Sequence, residues 1–410
     1  MQYHALSIAK HGGRVDIIGY NETPPHPSLL EYPNVRIYPL DALPSILRSK
    51  SLPFLFAGPF KVIWQVITLI QVLGYEAPPA QWLLVQNPPT IPTLGVAAVM
   101  CALRGTRLVI DWHNYGWTIL AGTRGASHPF VRVAKAYECF FGRMAPAANL
   151  TVTHAMAREL MRKPYKIMTP IFTMHDRPAA IFRPVESAEK RRAFLAALGE
   201  TQDFADAIVE GRVRLLVSST SWTPDEDFSL LLDALVQYAG GAEDDDDEQQ
   251  QSTTTPVLAI ITGRGPQRAA YEAEITALTE QGRLPGVTIK TAFLSFEDYA
   301  RLLGCADLGV CLHKSSSGVD LPMKVVDMFG AGLPVVAYSG YESFAELVRE
   351  GQNGCGFETA GELAASLKRL LAPEGQRELE KLRAGAVKEG SLRWDEEWDR
   401  VVAPLLGFKS

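Results

Sequence analysis

The segment Cys305 to Ala337, CADLGVCLHKSSSGVDLPMKVVDMFGAGLPVVA, constrains this chain more than any other. Leu308 to Leu312 is an apolar run of strand length. Ser315-Ser316-Ser317-Gly318 is a loop of hydroxyls, backbone N–H groups and one residue free to take positive φ. Pro322 falls where a first helical residue belongs, and Gly330 and Gly332 fall where that helix should end. Leu333 to Ala337 then reads as a second buried strand. A helix N-terminus behind such a loop, with Lys324 in its first turn, is an anion site of the kind that holds a diphosphate. The plainer reading is an ordinary strand–helix connection in an α/β domain.

The rest of the chain repeats that alternation. Strands are predicted at Arg14 to Gly19, Val35 to Leu40, Trp82 to Val85, Arg107 to Asp111 and Leu150 to Thr153, with helices over Thr93 to Leu103 and Val131 to Phe141. Gln86-Asn87-Pro88-Pro89 reads as a loop closing the third strand. The second half offers Val213 to Val217, Pro256 to Thr262, Val287 to Lys290 and Leu308 to Leu312 as strands, with a helix over Asp225 to Tyr238. At 410 residues two domains are the default. The pattern predicts an α/β chain of two doubly wound, Rossmann-like domains facing across a cleft, the GT-B architecture, with ligands at the carboxyl ends of the strands. We place the N-terminal domain at 1–185, the C-terminal domain at 205–390 and a C-terminal helix at 391–410 packing back toward the first domain. The hinge falls between Ile171 and Val213. The tract 242–255, AEDDDDEQQQSTTT, is too acidic and polar to fold alone and reads as a disordered surface insertion.

Composition narrows the partners. A net charge of −6 argues against a nucleic acid held by overall charge. Five scattered cysteines, with no CxxC pair, read as buried thiols in a reducing compartment. Leu52 to Gly74 is the most apolar stretch, but Lys61, Pro53, Gly58 and Pro59 interrupt it, so it is no membrane span. A helix apolar almost all round is expected in the core, the alternative being a helix resting in a bilayer interface. Asp225-Glu226-Asp227 imitates a metal-binding DxD motif, but after Thr223-Pro224 its carboxylates fit a helix start better.

Four motifs occur together and in order: DWHNYG from Asp111, SSTSWT from Ser218, ITGRGP from Ile261 and SSSGVDLPMKVVDMFG from Ser315. With flanking matches from Met1-Gln2-Tyr3-His4 to Leu392-Arg393-Trp394-Asp395, this set closely resembles the chitobiosyldiphosphodolichol β-mannosyltransferase family of the eukaryotic dolichol pathway. The resemblance implies an enzyme on the cytosolic face of the endoplasmic reticulum. It implies inverting transfer of mannose from GDP-mannose to chitobiose on dolichyl diphosphate, forming a β-1,4 bond. GDP-mannose is then a substrate rather than a cofactor, and with no convincing metal ligands in the sequence no essential metal is expected. The partners it implies are those two substrates, the membrane surface and other mannosyltransferases of the dolichol pathway. Alternatives are another GT-B nucleotide-sugar transferase, or an impaired chain that only binds sister transferases. Members of the family usually begin with a membrane anchor, a strand and a Gly-rich loop. Met1 here lies inside the helix that should follow, so the first strand and the anchor are expected to be missing. Another surface, with Phe54 to Leu73 the candidate, would then supply membrane contact.

Donor binding is assigned to Ser315, Ser316, Ser317 and Gly318, to Lys324 as the cation, and to Gly263 and Arg264, where small residues let backbone approach the nucleotide. Asp327 occupies the place where related transferases keep a ribose-binding glutamate. The Arg and Lys that such relatives carry after the first strand of this domain are absent from Ser218 to Trp222, which leaves more to Lys324. Asp111 and His113, at i and i+2 of a strand end, point the same way. His113 is expected near the reacting sugar, with Asp111 as base or orienting partner. Gln86 and Asn87 are candidates for the acceptor sugars or for a turn.

Overall fold

A computed structural model describes residues 1–21, 24–44, 54–144, 147–223, 226–240 and 254–408. Nearly all of the acidic tract lies outside them. The chain divides into two compact units, Met1–His175 with Asp395–Ser410, and Asp176–Trp394.

The first unit carries two parallel sheets. Strands β1 (Val15–Gly19) and β2 (Val35–Pro39) form one. The other runs β3 (Trp82–Asn87), β4 (Arg107–Trp112), β5 (Ala148–Thr151) and β6 (Ile171–Thr173), in chain order. β4 is buried from Leu108 onward, as an apolar strand inside a parallel sheet must be. β3 continues through Gln86 and Asn87 rather than ending before them. Its ladder with β4 sets Gln86 beside Asp111. β6 escapes sequence reading because only three residues pair.

The N-terminal helix Gln2–Lys10 and the C-terminal helix Trp394–Leu406 are fastened to each other. Lys10 reaches Asp395 at 2.6 Å, and the His11 ring lies 5.2 Å from the Trp398 ring. The helix Phe54–Gln71 departs from expectation. Phe60, Ile63, Ile67 and Ile70 are 58%, 54%, 52% and 38% exposed. Their three- and four-residue spacing puts them on one face as an exposed apolar stripe, while Thr68 is buried and most of the remaining described residues are half-buried.

The second unit holds one six-stranded parallel sheet: β7 (Arg214–Ser219), β8 (Val257–Thr262), β9 (Val287–Ala292), β10 (Leu308–Cys311), β11 (Val335–Tyr338) and β12 (Gly354–Phe357). The order is β12-β11-β10-β7-β8-β9. The chain therefore winds outward in one direction from β7 and in the other from β10, and these two neighbours flank the switch point. β12, with two glycines in four residues, lacks the branched side chains that mark a strand.

The helix Met323–Gly330 that follows β10 is backed by the helix Gln376–Gly390 at very short range. A Cβ at Gly390 would stand 1.8 Å from the carbonyl oxygen of Phe329. Gly390→Ala is expected to force the two helices apart and to destabilise the protein by about 1–3 kcal/mol. Urea unfolding would read this as a lower midpoint at unchanged slope; an unmoved midpoint would show that the contact is dispensable.

Candidate active site

At the switch point of the second unit the loops after β7 and β10 leave the sheet side by side, where parallel α/β sheets place ligands. The serine loop is organised by its own hydroxyls. Ser315 Oγ accepts from the Gly318 N–H at 2.7 Å, and Ser317 Oγ from the Val319 N–H at 3.4 Å. Gly318 has φ +77°, a left-handed conformation that glycine takes without penalty, and its carbonyl accepts from the Glu342 N–H at 2.9 Å. Pro322 stands just outside the helix, which starts at Met323.

Lys324 is not a lone cation. Its ammonium donates to Glu226 Oε1, on a residue only 3% exposed. The other carboxylate oxygen accepts from Thr220 Oγ1 at 3.0 Å, from Ser221 Oγ at 2.8 Å and from the Ser221 N–H. Burial alone would oppose ionisation of Glu226. The Lys324 charge and the Ser221 donors outweigh it and hold the carboxyl below its usual range. Glu226 thus belongs to the site, although its sequence neighbourhood suggests only the start of a helix. That helix begins at Ser229. Asp227 accepts from Ser229 Oγ at 2.5 Å and from the Lys314 ammonium at 3.0 Å.

Asp327 is half-buried. Desolvation first, then the charge of Asp176, pushes its carboxyl up to about 7. Gly263 and Gly265 serve a close approach, but to the chain itself. A Cβ at either would stand 1.8 Å from a carbonyl oxygen, that of Thr220 or of Ser221. They let the end of β8 lie against the loop after β7, where Thr220 N–H donates to Thr262 O at 2.9 Å. The Arg264 guanidinium stacks on the Phe293 ring, 3.4 Å from its centre.

In the first unit Asp111 and His113 are brought together, as their spacing predicts. His113 Nε2 lies 2.9 Å from Asp111 Oδ2. The Asp111 carboxylate is 4% exposed. Burial opposes its charge, but His113 and His4 more than compensate and hold the carboxyl well below its usual range. An ionised carboxylate only accepts, so the His113 Nε2 carries the proton and Nδ1 is the basic nitrogen. His113, with a side chain 30% exposed, is the member of the pair that reaches solvent, and the Asp111 carboxylate is buried behind it.

Asn87 is a correction to the acceptor assignment: it is fully buried. Its amide nitrogen donates to Asn114 O at 3.1 Å and lies 3.4 Å from Glu138 Oε2. Glu138, also fully buried, collects donors from Thr90 Oγ1 at 2.6 Å, Tyr165 Oη at 2.5 Å and the Gly116 N–H at 2.8 Å. Asn87 therefore belongs to the frame that holds the strand-end loops. Gln86, half-buried beside Asp111, stays at the rim.

Residues 213–373 match the family model described as glycosyl transferases group 1. The structure is similar to that of HepE from Anabaena in complex with UDP and glucose, with a TM-score of 0.64, covering 99% of this chain and 95% of that one at 16% identity. The fold is GT-B, and the chain is a glycosyltransferase. A relative in Arthroderma benhamiae, "Chitobiosyldiphosphodolichol beta-mannosyltransferase", is 50% identical over 389 residues, 94% of this chain and 85% of its own. An Arabidopsis thaliana relative, "UDP-glycosyltransferase TURAN", is 37% identical over 444 residues, covering 99% of this chain and 94% of that protein. The chain belongs to the chitobiosyldiphosphodolichol beta-mannosyltransferase family.

The Lys324–Glu226 pair makes a definite energetic demand. Removing the lysine leaves a buried carboxylate without its cation, so Lys324→Ala is expected to cost about 1–3 kcal/mol of stability before any effect on catalysis. Glu226→Gln in the same chain should recover part of that loss. A double-mutant cycle on denaturant midpoints measures the coupling; strictly additive losses would show that the two groups do not sense each other.

Proposed function

We propose that this chain transfers mannose from GDP-mannose to chitobiose on dolichyl diphosphate, with inversion, forming a β-1,4 bond. The observation that carries the reading is the 50% identity to a relative of that name over almost the whole chain. In the proposed reaction the acceptor hydroxyl oxygen attacks the anomeric carbon of the donor. The bond from that carbon to the diphosphate oxygen breaks, and its electron pair leaves with GDP. The hydroxyl proton passes to His113 Nδ1, while Asp111 stabilises the imidazolium that forms. The serine loop and the start of the Met323–Gly330 helix take the diphosphate, and Asp327 takes the ribose. No metal enters this account.

The name of the Arabidopsis relative favours a second donor class, the UDP-sugars. Purified chain, a chitobiosyl-diphosphate lipid and a panel of GDP- and UDP-sugars separate the two. Transfer is expected from GDP-mannose alone and is expected to survive EDTA after dialysis. His113→Ala should lower kcat by at least ~100-fold. Turnover of a UDP-sugar in place of GDP-mannose would overturn the donor assignment, and full kcat without His113 would overturn the base.

A polyprenyl-linked acceptor also requires the protein to work against a bilayer, and we place the chain on the cytosolic face of the endoplasmic reticulum. Among the described residues no helix is long and apolar enough to cross a membrane. The exposed stripe of Phe60, Ile63, Ile67 and Ile70 suits an interface helix. The chain is expected to co-float with liposomes, and Phe60→Ser with Ile67→Ser to reduce flotation without lowering Tm. Wild-type chain that stays at the bottom of the gradient would remove this surface from the account.

A further inference from the structure

A buried chain of hydrogen bonds runs from the C-terminal helix to the His113–Asp111 pair. The Trp398 indole N–H meets His4 Nδ1 at 3.0 Å, and His4 Nε2 lies 3.3 Å from Asp111 Oδ2. That same oxygen faces His113 Nε2 at 2.9 Å. Trp398 is fully buried, His4 is 3% exposed and Asp111 4% exposed. The direction of each bond follows from chemistry. An indole nitrogen can only donate, so His4 Nδ1 must accept and cannot carry a proton. The proton of the neutral ring is therefore on Nε2, aimed at Asp111. Were the ring to carry both protons, two N–H groups would face each other in a site closed to water. One carboxylate oxygen thus receives two N–H donors, and its rotation is fixed from two sides.

We propose that His4 and Trp398 are positioning residues for catalysis: Trp398 fixes the tautomer of His4, His4 orients Asp111, and Asp111 orients His113. This rests on the assignment of His113 as base given above. The two helices that carry the outer members are held in register. Ser7 Oγ lies 3.3 Å from Asp395 Oδ1, Lys10 pairs with Asp395 at 2.6 Å, and His11 Nε2 lies 3.3 Å from Asp399. A metal ligand or a catalytic carboxylate is often steered in this way, by a second residue that never touches substrate.

The test compares His4→Phe, His4→Gln and Trp398→Phe in the full chain, with His113→Ala as reference. A glutamine can donate to Asp111 and accept from Trp398, so it keeps the relay that phenylalanine breaks. His4→Phe is expected to lower kcat at least tenfold with the KM for the nucleotide sugar unchanged, and His4→Gln to restore most of that loss. Trp398→Phe should give an intermediate loss, since His4 can then move its proton to Nδ1. Should His4→Phe fail to fold, the Gln and Trp398→Phe variants carry the same comparison. Equal losses in His4→Phe and His4→Gln that track lowered Tm would make His4 a core residue only and overturn the proposal. Full kcat in His113→Ala would overturn the base assignment itself; loss there with no loss in His4→Phe and Trp398→Phe would overturn the relay alone.

Discussion

A carboxylate removed from water must be given donors in place of those it leaves, or it weakens the fold by several kcal/mol. This chain uses that requirement repeatedly to tie loops down. Glu138 gathers Asn87, Thr90, Gly116 and Tyr165 and so binds the ends of β3 and β4 into one frame. Asp307 takes Arg191 and the Leu215 N–H, both at close range, and fastens the helix Ala188–Ala197 to the sheet of the second unit. Glu226 does the same for the loop after β7 and the helix after β10. Each of these groups would be unfavourable where it sits if a single connecting segment moved away. The positions of the loops, and hence of Asp111, His113 and the serines, are set by groups that need not touch substrate.

Much of the fold is legible in the sequence because parallel strands buried on both faces leave continuous apolar runs. β7, β8 and β10 fall within a residue or two of Val213 to Val217, Pro256 to Thr262 and Leu308 to Leu312. The strands that escape such reading are those without that signature, the three residues of β6 and the glycine-rich β12. The stripe of Phe60, Ile63, Ile67 and Ile70 is visible as apolar residues at helical spacing, but not as exposed ones. Burial depends on what packs alongside, which spacing along one helix does not encode.

The site is legible only where its partners are close in sequence. Asp111 and His113 are two residues apart, and alternation along a strand is enough to put them on one side. Glu226 is 98 positions from Lys324, and His4 is 394 from Trp398. No local pattern announces such pairs, since each residue alone reads as a surface carboxylate, a helix lysine or a core aromatic. Gly263 and Gly265 show that one signal can have more than one cause. Smallness is required at both positions within the fold itself, because the loop after β7 crowds them.

The pairing of Lys324 also changes how the anion site works. A lysine facing open solvent would offer a diphosphate its full charge. Here a fixed, buried Glu226 stands against the same ammonium, so an arriving diphosphate gains only part of that attraction and feels the carboxylate behind it. In the serine loop the Gly318 and Val319 N–H groups are already held by Ser315 Oγ and Ser317 Oγ, which leaves those two hydroxyls their own protons to direct at an anion on the proposed assignment. On the proposed ribose assignment Asp327 adds a further restraint: burial and the Asp176 charge push its carboxyl up to about 7, so it would be a full acceptor for ribose hydroxyls only above that pH. On the proposed assignment, a site built on directed dipoles and a compensated lysine would recognise the shape of a nucleoside diphosphate more than its charge. On the proposed reaction that suits the second half of the cycle, when GDP has gained the charge of the broken bond and must still leave.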